Sequence, residues 1–76
     1  MVARAYILIE TQVGKSRDVL AALQALPNVP SVDIITGEFD MIALVEAPDM
    51  VAMADLVTGL VQSTPGVTRT ITCVAA

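Results

Sequence analysis

The chain has 76 residues, of which 55% are hydrophobic and 16% charged, and its formal net charge is −4, with eight acidic and four basic side chains. This length predicts one small domain (residues 1–76), and the basic residues form no cluster that could bind nucleic acid directly. The apolar runs are too short to span a bilayer and the N-terminus has no signal-peptide pattern, so we expect a cytoplasmic protein.

Little in the composition could stabilise so small a domain by itself. A domain of about 60 residues buries only about 60% of the surface of its unfolded chain. Cys73, the single cysteine, cannot form an internal disulfide, and the absence of histidine excludes a Cys/His metal site. Because the hydrophobic fraction is above the typical ~45–50%, apolar surface is left over. We therefore expect a homo-oligomer, with no metal and no cofactor.

The first part of the chain predicts a strand followed by a helix. Residues 2–10 alternate as in a strand with two apolar faces. One face carries Ala5, Ile7 and Ile9, and the other carries Tyr6 and Leu8. A helix is predicted from Ser16, as its N-cap, to about residue 26, where prolines end it.

The middle of the chain predicts a β-hairpin. Residues 32–36 and 39–47 are rich in valine, isoleucine and leucine, as strands are. Gly37 lies between them and can adopt the positive φ of a tight turn without steric cost. Such a turn brings backbone N–H donors and the Asp40 carboxylate to the end of a sheet. We expect a ligand there.

The last part predicts a second helix and a fourth strand. Pro48 breaks the preceding strand and Asp49 is a suitable N-cap for the helix. Apolar residues follow at helical spacing: Met50, Met53, Ala54, Val57, Leu60 and Val61. The methionines are expected to pack in the core rather than to bind a soft metal. Thr64, Pro65 and Gly66 end the helix.

Residues 67–74 are the predicted fourth strand, and their alternation separates two faces. We expect one set to point towards the helices: Val67, Ile71 and Cys73. The opposite set is a row of hydroxyls on the uncovered face: Thr68, Thr70 and Thr72. On this pattern Cys73 is a buried and inert thiol.

The element order β-α-β-β-α-β predicts an α+β fold of the ferredoxin-like type. Two right-handed crossovers give a four-stranded antiparallel sheet with both helices on one face. The uncovered face would carry Tyr6, Leu8, Ile42 and Leu44 beside the threonines. Because such a face is too apolar to be left in water, we expect two sheets to meet in a dimer, which could close into a dimeric α/β barrel.

Four pieces of the sequence, in order, resemble the effector-binding (RAM) domain of the Lrp/AsnC transcription regulators. They are the V-x-x-x-x-G-x-[YF]-D hairpin from Val32 to Asp40, the strand after it, the helix start at Pro48, and the ending from Pro65 to Thr72. Family members usually carry an N-terminal helix-turn-helix domain, whereas this chain begins directly in its first strand. It therefore resembles the members that consist of the effector domain only.

The resemblance also implies an assembly and a ligand. In the family, dimers form through the sheets and assemble into rings, commonly octamers or decamers, and amino acids bind between dimers near the hairpin turn. Carried onto this chain, the ligand-binding positions are Gly37, Glu38, Phe39, Asp40, Thr70 and Thr72.

The residue types at these positions suit a zwitterionic ligand. Asp40 could accept the ammonium group of an amino acid, and turn N–H groups could hold its carboxylate. Two simpler interpretations remain open. Asp40 could cap the turn through its own backbone, and Thr70 and Thr72 could be present only because threonine favours strands.

No catalytic machinery is recognisable, because histidine is absent and the glycines are scattered singly. The leading hypothesis is an oligomeric amino-acid sensor that modulates a full-length Lrp/AsnC regulator by joining its assembly, without binding DNA itself. One alternative is a small dimeric α/β-barrel enzyme, which the scarcity of aromatic residues disfavours. Another is an ACT-like regulatory module, which the G-x-[YF]-D hairpin disfavours.

Overall fold

The computed structural model describes residues 2–75, and its elements follow the order β-α-β-β-α-β. The strands are β1 (Ala3–Thr11), β2 (Ser31–Ile34), β3 (Met41–Ala47) and β4 (Val67–Val74). The helices are α1 (Ser16–Gln24) and α2 (Met50–Leu56), and α2 continues as a π-helical segment, Val57–Val61. One antiparallel sheet has the strand order β2-β3-β1-β4. The predicted ferredoxin-like arrangement is confirmed.

The core lies between one face of the sheet and the two helices. The sheet contributes alternate residues of its two central strands, which lie opposite one another: Ala5, Ile7 and Ile9 from β1, and Met41, Ala43 and Val45 from β3. The helices contribute Val19 and Leu23 from α1, Met53 from α2, and Val57 and Val61 from the π-helical segment. Each large aliphatic side chain buried here contributes about 1.5–3 kcal/mol to folding, so this layer is the main source of stability.

The start of α1 differs from the prediction. Lys15, not Ser16, is the N-cap, and its side chain makes no capping hydrogen bond. The Ser16 hydroxyl lies 2.9 Å from the hydroxyl of Thr11 instead. It therefore connects the helix to the end of β1. At the other end the helix closes early, with Leu26 N–H donating to the carbonyl of Leu23 at 3.1 Å.

The second helix begins as predicted but winds differently at its end. Asp49 is its N-cap, and its carboxylate accepts a hydrogen bond from the Ala52 N–H at 2.8 Å. Further along, the Gln62 N–H donates to the carbonyl of Val57, five residues earlier, at 2.9 Å. This wider turn keeps residues spaced by four on the buried side.

Three residues expected on the buried side of this helix are exposed. Ala54 is exposed, and Leu60 is 39% exposed. Met50, in the first turn, is 50% exposed, whereas Met41 and Met53 are buried as predicted. Met1 lies outside the described residues.

From Thr70 to Cys73 the two faces of β4 are the reverse of those predicted. Ile71 and Cys73 lie opposite residues of β1 that point away from the helices, whereas Thr70 and Thr72 lie opposite Ile9 and Ile7 on the helix side. Cys73 is accordingly exposed, not buried.

A β-bulge explains the reversal. Arg69 pairs with Glu10, but Val67 pairs with the next residue of β1, Thr11, so Thr68 is an extra residue in β4. Val67 packs against the core, as predicted. Because the extra residue shifts the alternation by one, the rest of the strand points to the opposite side from a regular strand.

The sheet face without helices, called the open face here, is more apolar than predicted. Its centre consists of Tyr6, Leu8, Ile42, Leu44, Ile71 and Cys73. Charged pairs lie at its two ends: Arg4 with Glu46 at 3.9 Å, and Arg69 with Glu10 at 3.7 Å. An apolar centre with a charged rim is the usual anatomy of a protein–protein interface.

No helix within residues 2–75 is both long enough and apolar enough to cross a membrane.

The turn before β4 allows a direct test of backbone geometry. Gly66 has a φ of 98°, and a Cβ atom there would lie 2.9 Å from Val19 Cγ2. We expect Gly66→Ala to lower the free energy of unfolding by about 1–3 kcal/mol, measured by urea denaturation. Gly59→Ala is the matched control, because nothing lies within 4 Å of its Cβ position and the site is helical. That substitution should be neutral or stabilising by up to about 1 kcal/mol; equal losses in the two variants would contradict the prediction.

Candidate ligand-binding loop

The connection between β2 and β3 is a wider loop than the predicted tight turn. β2 and β3 do pair as an antiparallel hairpin, but β2 ends at Ile34 and β3 begins at Met41. Residues 35–40, called the 35–40 loop here, are closed by the Ile35 N–H donating to the Asp40 carbonyl at 2.9 Å. Gly37 has a φ of 155°, which L side chains rarely adopt.

The Asp40 side chain connects this loop to the end of β1 by hydrogen bonds. Its Oδ2 atom accepts hydrogen bonds from the Thr11 N–H at 2.8 Å and from the Thr11 hydroxyl at 3.3 Å. The Thr11 hydroxyl also lies 2.9 Å from that of Ser16, at the start of α1. The carboxylate therefore binds a residue 29 positions away, rather than capping its own turn.

Phe39 connects the loop to β4 through a side-chain contact. Its side chain is buried, although it does not belong to the core between sheet and helices. The guanidinium carbon of Arg69 lies 4.8 Å from the centre of the Phe39 ring, a cation–π contact. The same guanidinium forms the ion pair with Glu10.

Arg69 contacts the 35–40 loop, although it is not among the predicted ligand-binding positions. A signal for it was present in the sequence, because Arg69 is the only basic residue after Arg17 and directly precedes Thr70.

The backbone of the loop presents a run of N–H groups without internal partners. None of the hydrogen bonds found among residues 2–75 uses the N–H of Thr36, Gly37, Glu38 or Phe39. The Glu38 side chain is exposed and, in the same part of the chain, has no hydrogen bond or ion pair. Successive N–H groups in a loop are a common binding arrangement for anions, including carboxylates.

The two predicted threonines do not join the loop within one chain. Thr70 lies on the helix side, where its hydroxyl accepts a hydrogen bond from the Gln62 amide at 3.2 Å. Ile9 pairs with both Met41 and Thr70, so β1 separates Thr70 from Met41, the first residue of β3 after the loop, by two strand spacings, about 10 Å. Thr72 is exposed and lies one step further along the same face. The structure thus brings together the four predicted loop residues, and not the threonines.

Three concavities found among residues 2–75 lie outside the loop, and two of them are described here. A small one, of about 260 Å³, follows the edge of β4 and is lined by Gln62, Val67, Thr68, Arg69 and Thr70. A mostly apolar groove of about 550 Å³ lies near the chain ends, between Val2, Arg4, Met50 and Val74. Of the predicted site residues, only Thr70 lines either of them.

Comparison with known proteins identifies what the chain resembles. The family model described as the Lrp/AsnC ligand-binding domain matches residues 4–76. The crystal structure of FFRP-DM1 is 31% identical with a TM-score of 0.94, and the match covers 97% of this chain and 99% of that one. Hypothetical protein PHS023 from Pyrococcus horikoshii is 33% identical with a TM-score of 0.91, covering 100% and 90%. The comparison with curated proteins gives no match.

A longer protein shares the fold at lower identity. The transcriptional regulator NMB0573 from Neisseria meningitidis, solved as a complex with L-Met, is 24% identical with a TM-score of 0.87. The match covers 97% of this chain and 49% of that one. Since the family model covers almost the whole described chain and the solved structures share its strand and helix order, the chain belongs to the Lrp/AsnC ligand-binding domain family.

Proposed function

We propose that this chain is an oligomeric amino-acid sensor domain that modulates Lrp/AsnC transcription regulators without binding DNA itself. The observation that carries the proposal is the 35–40 loop, where free backbone N–H groups lie next to the exposed Glu38 carboxylate. An amino acid is a zwitterion, so it needs both donors for its carboxylate and an acceptor for its ammonium group. The loop offers both within a few residues.

The family and one of its relatives support a ligand of this class. The matched family is described as a ligand-binding domain, and NMB0573, which shares the fold, is described as a regulator in complex with L-Met. A regulatory function, rather than an enzymatic one, fits this family. A function without DNA binding fits the charge, because the net charge is −4 and Arg4 and Arg69 are already paired with acids.

The open face supports assembly from dimers. Tyr6 and Ile71 are 44% and 43% exposed in a single chain, at the centre of an apolar surface. A second copy packed against this face would remove them from water and close a dimeric α/β barrel. Rings of such dimers, octamers or decamers, would bring chains together near their loops. The threonines of β4 would then reach the ligand from a neighbouring chain, since those of the same chain lie behind β1.

The ligand is tested by thermal unfolding of the purified chain with each standard amino acid in turn. One or a few should raise the Tm, because a ligand that binds only the folded state stabilises it by about 2.7 kcal/mol at 100 times its Kd. The hydroxy-acid analogue of any amino acid that binds is the control, since it keeps the carboxylate and lacks the ammonium group. A folded chain whose Tm responds to no amino acid contradicts the sensor function.

The dimer is tested through Cys73, the only cysteine, which lies on the open face opposite Tyr6. We expect its reaction with a thiol reagent to be about tenfold slower at concentrations where the dimer forms than after dilution.

Charge substitutions complete this test. Ile71→Glu should abolish the protection of Cys73 and lower the mass measured by light scattering, because it buries a charge in the interface. Gln24→Glu is the control, since Gln24 is exposed on α1, which covers the other face of the sheet. Equal reactivity at all concentrations, with a monomeric mass throughout, contradicts the dimer.

A further inference from the structure

The Asp40 carboxylate continues the hydrogen bonding to β1 beyond the end of β3. The last backbone pair between β1 and β3 is Ile9 with Met41. Beyond it the Asp40 N–H donates to the Ile9 carbonyl at 2.9 Å, and the Asp40 side chain then accepts from the Thr11 N–H at 2.8 Å. The side chain thus takes the place that the carbonyl of a longer β3 would occupy.

An Asp40 carboxylate occupied in this way is poorly suited to hold a ligand. Its Oδ2 atom already serves two donors of Thr11, the N–H and the hydroxyl. Turning the carboxylate towards a bound ammonium group would leave the Thr11 N–H without a partner in a partly buried place. It would also release the loop from β1.

Glu38 is in the opposite situation. Its side chain is exposed, and it takes part in no hydrogen bond or ion pair found within residues 2–75. It lies in the middle of the run of free N–H groups, between Gly37 and Phe39. It is therefore the carboxylate of the loop whose orientation no existing hydrogen bond restricts.

We infer that Asp40 is a positioning residue that keeps the 35–40 loop in its binding shape, and that Glu38 is the acid that meets the ammonium group of the ligand. The inference rests on the proposed function for its second half only. What Asp40 supplies is an oxygen acceptor at a fixed place; what Glu38 supplies is a negative charge.

Substitutions that separate geometry from charge test this assignment. Asp40→Asn removes the charge but retains an oxygen that can accept from Thr11, whereas Asp40→Ala removes both. Glu38→Gln removes only the charge of Glu38. Asp55→Ala is the control for loss of one negative charge, because Asp55 is exposed on α2 and outside the loop.

The first measurement is amide hydrogen exchange at Thr11 and Ile35 by NMR, without any ligand. The Thr11 N–H donates to the Asp40 side chain, and the Ile35 N–H donates to the Asp40 backbone carbonyl in the bond that closes the loop. We expect Asp40→Ala to speed their exchange by about tenfold or more relative to the core amides, and the other three variants to change it by less than about threefold. Unchanged protection in Asp40→Ala would overturn the positioning role, and so would protection lost equally in Asp40→Asn.

The second measurement is the affinity for the amino acid that raises the Tm of the unmodified chain. Glu38→Gln should weaken it by about tenfold, as expected for loss of one charge-assisted hydrogen bond, while Asp40→Asn and Asp55→Ala should stay within about threefold. Affinity lost in Asp40→Asn with the loop still protected would show that Asp40 binds the ligand directly. If no amino acid binds, the proposed function and the role of Glu38 fail, and hydrogen exchange still decides the role of Asp40.

Discussion

The directions of the side chains on this sheet follow from β1, since β1 pairs with β3 along one edge and with β4 along the other. In an antiparallel pair, residues opposite each other share a face, so a shift of one residue moves a whole strand's side chains to the other side. With β3 the pairing is regular, and apolar residues of both strands fill the core. With β4 a bulge intervenes, and the open face gains Ile71 and Cys73 in place of the threonines.

The end of β1 also sets the position of the candidate binding loop. β3 begins at Met41, and from there the Asp40 side chain extends the hydrogen bonding to Thr11. On the β4 side, Arg69 covers Phe39 and pairs with Glu10. The loop is thus held by two different strands, and the N–H groups of residues 36–39 have no partner within the described part of the chain. A binding site with little freedom to lose on binding needs this kind of support.

Arg69 connects the loop with the surface proposed for assembly. Its guanidinium covers Phe39 of the loop, and its ion pair with Glu10 lies at one end of the open face. Arg69 therefore contacts both the candidate binding loop and the charged rim of the open face.

Local chemistry was sufficient for much of the structure. The alternation of apolar residues in β1 and β3 predicted most of the core. Together with the Asp49 cap it predicted the order of the elements, and Gly37 of the G-x-[YF]-D motif predicted the place of the loop. Each of these signals depends on residues close together in the chain, so the sequence displays them directly.

What the sequence left undecided depends on which distant residues meet. The faces of β4 follow from a bulge opposite the end of β1, and the role of Ser16 from the hydroxyl of Thr11. The Asp40 carboxylate accepts a hydrogen bond from Thr11, 29 positions away, and the Arg69 guanidinium contacts the ring of Phe39 in the 35–40 loop. The sequence by itself determined the fold and the position of the loop. Only the tertiary structure decided which side chains are free at that loop, because strand register and long-range hydrogen bonds form between strands and not within them.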